Sequence, residues 1–391
     1  MSEKRNMPTL RFSGFSEDWS EQSLGELLEF KNGYNAPKES YGSGEKFINV
    51  LDIIQNTTIT HEKILGSVEL SKEEFEKYKV EYGDILFQRS SETREEVGQA
   101  NVYLDSSRPA TFGGFVIRGK KVGDFDPAFM NYLLRTPRSR NEITSKSGGS
   151  TRYNVGQETL SQVPVILPSL PEQQKIAAFL TSVDQRIELL QAKKEKLEGY
   201  KKGVMQKIFA QQLSFKADDG SDFPDWEERK LGEVCEKKSS NITAGSLAES
   251  DGHYRIYGAT GFLQNVDFFQ VETAFISIVK DRAGVGRVLK CEPKSSVLGT
   301  LDMILPKKEI DIDFLFSALA RINFLKYMTG STIPHIYFKD YAKERIKLPS
   351  LPEQKKISKF LTTLDQSIEN LNQQINQTQT WKKGLLQKMF V

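Results

Sequence analysis

Two stretches of the chain place hydrophobic residues at alternating steps of four and three, and they do so in the same register. In the first, Ile176, Leu180, Val183, Ile187, Leu190, Leu197, Val204 and Ile208 form the stripe, and Lys194 and Lys201 fill the two remaining slots. In the second the stripe is Ile357, Leu361, Leu364, Ile368, Leu371, Ile375, Leu385 and Met389, interrupted by Thr378 and Lys382. A heptad pattern of this kind predicts a long helix with one apolar seam and a solvated remainder. Each stretch opens on a Pro-Glu pair, Pro171-Glu172 and Pro352-Glu353, where proline tolerates the first turn and a carboxylate favours the positive helix end. At about 1.5 Å per residue each helix runs on the order of 55 to 60 Å, longer than one domain can cover, so the seams are expected to pair as a coiled coil. The seam residues expected to carry this pairing are Ile176, Leu180, Val183, Ile187 and Leu190 on one helix and Ile357, Leu361, Leu364, Ile368 and Leu371 on the other.

The stripes belong to a longer duplication. Residues 167–210, opening LPSLPEQQKIAAFLTSVDQ, return at 348–391 as LPSLPEQKKISKFLTTLDQ, a shift of 348 − 167 = 181 positions. A period near 180 is too long for a solenoid unit and marks a repeated domain plus helix. In front of each copy lies a region opening on Asp-Trp and Leu-Gly-Glu: Asp18-Trp19 with Leu24-Gly25-Glu26, then Asp225-Trp226 with Leu231-Gly232-Glu233. β-rich runs follow, among them FINVLDII, DILFQRS and TFGGFVIRG in the first region and YRIYG, AFISIVKDR and GRVLK in the second, broken by Gly, Ser and Asn turns. Short helices are expected near 127–135 and 313–321. The predicted fold class is α+β: two globular α/β heads separated by two long helices in an antiparallel coiled coil, with an internal pseudo-two-fold repeat. The expected boundaries are 1–168 for the first head, 169–210 for the central helix, 211–224 for a polar linker, 225–349 for the second head and 350–391 for the C-terminal helix.

Composition narrows the class of protein without choosing a partner. The chain has 391 residues, 38% hydrophobic and 27% charged, with no apolar run near the roughly 20 residues of a membrane span. The start, MSEKRNMPTLRF, lacks an apolar targeting core, and two cysteines make neither a disulfide framework nor a zinc set, so a reducing cytoplasm is expected. A formal charge of +2 neither demands nor excludes nucleic acid, since phosphate contacts need a local basic face.

No catalytic constellation is found. The chain lacks a phosphate-binding P-loop, a His-Glu-x-x-His helix, a nucleophile elbow and the Asp/Asn-Pro-Pro-aromatic motif of amino-methyltransferases, and its three histidines are scattered. Binding chemistry is better represented, in polar loops after β-rich runs. Gln88, Arg89, Ser90 and Arg94 in the first region, and Lys280, Arg282 and Arg287 in the second, offer forked or cationic donors suited to guanine and adenine edges in a major groove. The turns Thr151-Arg152-Tyr153-Asn154 and Thr332 to His335 sit at equivalent points of the repeat and mix donors with rings. Taken singly, each of these residues also fits a solvated loop or an internal ion pair.

The paired LPSLPEQ helices, Lys201-Lys202-Gly203 with Gln206-Lys207, the twin Lys382-Lys383-Gly384 with Gln387-Lys388, and the strand Tyr82-Gly83-Asp84-Ile85-Leu86-Phe87 resemble the specificity subunit of type I restriction-modification systems over nearly the full length. The resemblance implies two target-recognition domains, each reading half of a split, asymmetric double-stranded DNA site, held apart by a coiled coil that docks two methyltransferase (modification) subunits. It implies a non-catalytic chain without cofactor or metal, S-adenosylmethionine sitting on the modification subunits and ATP with magnesium on the restriction/translocase subunits. The second head departs from the pattern, offering Glu272-Thr273-Ala274-Phe275-Ile276 where the first has Tyr82-Gly83-Asp84. Two other readings remain: a self-sufficient DNA-modifying enzyme, and a coiled-coil scaffold that binds protein without base readout.

Overall fold

The computed structural model describes residues 7–247, 252–330 and 334–391. The chain packs as two compact units, residues 1–191 with 373–391 and residues 192–372. The central helix Leu170–Phe209 begins in the first unit and ends in the second, and the C-terminal helix Leu351–Met389 does the reverse. Each unit therefore holds one head, the start of that head's own helix, and the end of the other helix.

The first head is built on a four-stranded antiparallel sheet in the order Leu28–Asn32, Val116–Lys121, Ile85–Gln88, Ala100–Val102. A three-stranded sheet, Ser67–Val68, Tyr41–Ile48, Thr111–Phe112, adds one parallel pairing. Strand Ile85–Gln88 is buried on both faces, and its period-two alternation divides it between two cores. Ile85 and Phe87 join the main cluster with Trp19, Phe129 and Leu180, whereas Leu86 joins a second one with Ile48, Ile59 and Phe112. The turn into this strand is fixed by Gly83 at φ +92° and by the Asp84 carboxylate, which accepts from Glu81 N at 3.0 Å and Lys121 N at 3.1 Å. Burial pushes the Asp84 carboxyl up from its ordinary value, and the motif Tyr82-Gly83-Asp84 is thus accounted for by backbone anchoring.

The second head repeats this plan strand for strand: Cys235–Ser239, Leu301–Pro306, Phe275–Val279, Val288–Cys291 in one sheet and Gly261–Val266, Tyr254–Gly258, Ser296–Val297 in the other. Phe275–Val279 fills the slot of Ile85–Gln88 although the turn before it is unrelated in sequence. The expected short helices form at Pro127–Leu133 and Ile312–Leu319. The run FINVLDII, read as β-rich, is strand only through Ile48. Val50–Gln55 is helical because Asp52 accepts from Asn49 N at 2.7 Å and closes a capping box, and this local capping overrides the β-branched composition.

The repeated LPSLPEQ segment locks each head to its helix. Gln173 donates to Pro168 O at 2.9 Å and accepts from Asp126 N at 2.9 Å; Gln354 donates to Pro349 O at 2.9 Å and accepts from Asp311 N at 2.8 Å. Both amides are buried, and both tie the helix start to the cap of the short helix in the same head. The preceding glutamates are buried as well. Glu172 takes a two-pronged bond from Arg11 at 2.7 Å, and Glu353 accepts from Trp226 Nε1 at 3.2 Å while burial raises its pKa.

Within each unit the two helical segments run antiparallel. In the first, Lys382 pairs with Asp184 at 2.5 Å, Asp184 also accepts from Tyr132 OH at 2.8 Å, and Trp381 meets Phe179 edge-on at 5.9 Å. In the second, Lys201 pairs with Asp365. Lys201 and Asp184 become Lys382 and Asp365 under the repeat shift, so one ion pair is made twice. Ile176, Leu180, Val183, Ile187, Ile357, Leu361 and Leu371 are buried, and Leu190, Leu364 and Ile368 are half-buried.

The end of each helix is capped by an aromatic trio. Phe390 packs on Trp19 and Phe129 of the first head, with centroids 6.3 and 5.3 Å away; Phe209 packs on Trp226 and Phe314 of the second, at 6.1 and 5.4 Å. The segment 211–224 leaves the central helix along a defined path. Leu213 N bonds Lys207 O at 3.3 Å and Phe215 packs on Phe360, as Leu10 N bonds Lys388 O at 2.8 Å and Phe12 packs on Phe179. Phe390→Ala should therefore lower the free energy of unfolding by about 3 to 5 kcal/mol, read as a shifted urea midpoint. A cost below about 1 kcal/mol would show that the helix end is not held by the trio.

Candidate nucleic-acid interface

Beyond the buried part of strand Ile85–Gln88, Arg89 becomes a junction between three segments. Its N–H donates to Phe115 O at 2.9 Å and its carbonyl accepts from Val155 N at 3.0 Å, while Ser90–Ser91 pairs with Tyr153–Asn154. The turn 148–154 closes on itself through Gly148 N to Asn154 O at 3.0 Å and Asn154 N to Gly148 O at 2.8 Å. The second head builds the same junction at Lys280. Its N–H donates to Thr300 O at 2.9 Å, its carbonyl accepts from Ile336 N at 2.8 Å, Asp281 bridges His335, and Thr329 and His335 exchange bonds of 2.8 and 2.9 Å. The two loop sets singled out in each half of the sequence thus come together in each head. Arg89 corresponds to Lys280, Phe115 to Thr300, and Asn154 to His335.

Individual candidates differ in what their side chains bond. Gln88 is buried and donates to Ser90 O at 3.0 Å. Arg94 donates to Thr144 O at 3.1 Å and Ser145 O at 3.2 Å, closing the C-terminal end of helix Pro137–Ser145. Lys280 pairs with buried Asp302 at 3.3 Å, and Arg287 donates to Ala259 O at 2.7 Å. Arg89, Arg94, Thr151, Arg152, Asn154, Arg282 and Arg287 are exposed, Ser90 and Tyr153 are half-buried, and Arg89 makes one long bond to Gly114 O at 3.4 Å. Arg282 adopts φ +65°, held by its N–H on Pro334 O at 3.0 Å. His335 lies 4.3 Å from the Tyr337 ring and 3.9 Å from Asp281, and Lys339 sits over Tyr337 at 5.4 Å. Thr332 lies outside the described residues.

The loop 92–98 is held from behind by Arg140, which donates to Gly98 O and Val97 O at 2.6 Å and to Glu95 O at 3.0 Å. Phe115 and Tyr337 were not among the sequence candidates. Gly113-Gly114 before an aromatic is a turn signal that points to the first; nothing in the local pattern points to the second. Cys235 and Cys291 are buried, and burial pushes their thiols up to about 12 and about 11, which leaves neither a nucleophile near neutral pH. Among the described residues no helix is long and apolar enough to cross a membrane.

The chain thus carries two heads of one plan, each with the same backbone junction and different side chains on it. The chain belongs to the type I restriction modification DNA specificity domain family, whose model matches residues 16–199 and 224–379. It is 28% identical to the putative type I restriction enzyme MjaX specificity subunit of Methanocaldococcus jannaschii, over 98% of this chain and 95% of that protein. It is 25% identical to the MjaVIII specificity subunit of the same organism, over 67% and 68% of the two chains. The fold is that of the type I restriction-modification S subunit from M. genitalium, with a TM-score of 0.65 at 18% identity over 98% and 99% of the chains. The chain is thus a type I restriction-modification specificity subunit with two DNA specificity domains.

The backbone carbonyls that each guanidinium holds separate the arginines by expected effect: Arg94 holds two at a helix end, whereas Arg89 makes one bond of 3.4 Å. Arg89→Ala and Arg282→Ala should each weaken binding of the assembled complex to its site by about 1 to 3 kcal/mol. Arg94→Ala should cost about 1 kcal/mol of stability and leave DNA affinity unchanged. Titration of labelled duplex with each variant checks this, and the reverse ranking would contradict it.

Proposed function

We propose that the first head reads one half and the second head the other half of a bipartite, asymmetric DNA site, and that the long helices set the gap between the halves. The observation that carries this reading is the shared junction: one backbone frame presents Arg89, Phe115 and Asn154 in the first head and Lys280, Thr300 and His335 in the second. Base edges are read by such side chains, whereas a bare scaffold needs only the helices. The twice-made Lys–Asp pair and aromatic trio make the helical surface pseudo-symmetric, which supports docking of two copies of one modification subunit. Methyl transfer and cleavage belong to partners in this reading: S-adenosylmethionine is carried by the modification subunits, and ATP with magnesium by restriction/translocase subunits.

Pure chain incubated with DNA and S-adenosylmethionine should transfer no methyl groups, and mixing with modification subunits should give two per chain by mass measurement. Turnover by the chain alone, or one modification subunit at saturation, would overturn the assignment. The helical spacer has its own test. Four residues inserted after Lys194 and four after Ile375 lie between the Asp184–Lys382 and Lys201–Asp365 pairs and preserve both. They lengthen each helix by about 6 Å, close to two base-pair rises of about 3.4 Å. Methylation mapping should then show a gap longer by one or two base pairs with both half-sites unchanged; an altered half-site with the old gap would contradict the spacer role.

A further inference from the structure

The first head displays an aromatic ring that its own packing leaves out. Phe115 is 66% exposed, although the residues on either side of it in the fold are fixed. Gly33 N donates to Val116 O at 3.1 Å, and Tyr34 N donates to Phe112 O at 3.0 Å. The tip is tightly packed: a Cβ on Gly33 would fall 2.0 Å from Gly113 O, and one on Gly113 would press on the Phe47 ring. On the other side, Phe115 O accepts from Arg89 N, and the Arg89 guanidinium reaches Gly114 O at 3.4 Å. A ring held out on a rigid tip loses hydrophobic stabilisation that burial would give, and it loses little conformational entropy if a ligand later covers it.

We propose that Phe115 is a specificity-determining residue of the first head, reading the C5-methyl of a thymine in the major groove beside the base or phosphate engaged by Arg89. The chemistry favours this occupant. Thymine is the one base that offers an apolar group in the major groove, Phe supplies the matching surface, and the exposed cation next to it suits a polyanion. The equivalent position in the second head is Thr300, half-buried, and Lys280 there is turned inward onto Asp302, so the two heads differ at the same point of one frame. The inference rests on the proposed division of reading between the heads and goes further by assigning one base class to one side chain.

The test uses the chain assembled with its modification subunits and duplexes in which each thymine of the first head's half-site is replaced in turn by deoxyuridine, which lacks only the methyl. With the natural chain, one such position should weaken binding about three- to fivefold, the loss of one buried methyl contact. Phe115→Ala should bind the thymine duplex weaker by at least that factor and be indifferent to deoxyuridine there, and Phe115→Leu should restore part of the discrimination. The second head's half-site should be unaffected throughout. The proposal is overturned if the half-site holds no thymine, if Phe115→Ala keeps the deoxyuridine effect, or if the variant loses modification subunits while its base selection is unchanged. Loss of all sequence preference by the natural assembly would instead remove the divided-reading function itself, and this inference with it.

Discussion

The structure depends on burying the end of each long helix against the head that the other helix starts from. Phe390 sits on Trp19 and Phe129, and Phe209 on Trp226 and Phe314. The first head's largest cluster includes Leu385, Met389 and Phe390 from the far end of the chain, and in the second unit Val204 and Ile208 join Phe314, Ala318, Ile357 and Leu361 in a smaller cluster, so a helix end fills part of the core on each side. The Lys–Asp pairs then fix direction and register. A lysine in an apolar seam weakens pairing in general, but Lys382 and Lys201 each meet an aspartate only when the segments run antiparallel in the register observed.

That frame lets the loops at the shared junction differ between the heads without disturbing the helices. Several duplicated features are structural: the glutamine that bonds Pro168 O or Pro349 O, the buried glutamate, the Trp-Phe-Phe trio and the seam. Everything that differs between the heads at the shared junction is carried on loops whose backbone bonds are kept. Arg89 and Lys280 hold the same pair of backbone partners while one side chain faces solvent and the other turns onto Asp302. Side chains at the junction are thus free to change identity because the main chain positions them.

The helices were legible in the sequence because a seam of four-three spacing has few other meanings, and the 181-position shift exposed the pseudo-symmetry. The sequence also showed Lys201 and Lys382 as interruptions, but pairing them with Asp365 and Asp184 required knowing that the segments are antiparallel. Strand order was hidden, since the second head reaches the Ile85–Gln88 slot with Phe275–Val279 through an unrelated turn. The run through Val50–Gln55 misled because a capping box outweighed β-branched composition. Of the loop candidates, residue type alone could not separate Arg94, whose guanidinium closes a helix end through two carbonyls, from Arg89, which makes one bond of 3.4 Å; nor could it show that Phe115 stays outside the core.

The central claim is that each head carries its own half-site and that the duplicated helices carry either head in the same way. It is tested most directly by a chain whose second head, residues 226–349, is replaced by a copy of residues 19–168, followed by methylation mapping of host DNA. The account predicts a palindromic site, the first head's half-site and its inverted repeat, with a single gap length. A site that stays asymmetric, or that keeps the half-site formerly read by the second head, would contradict it.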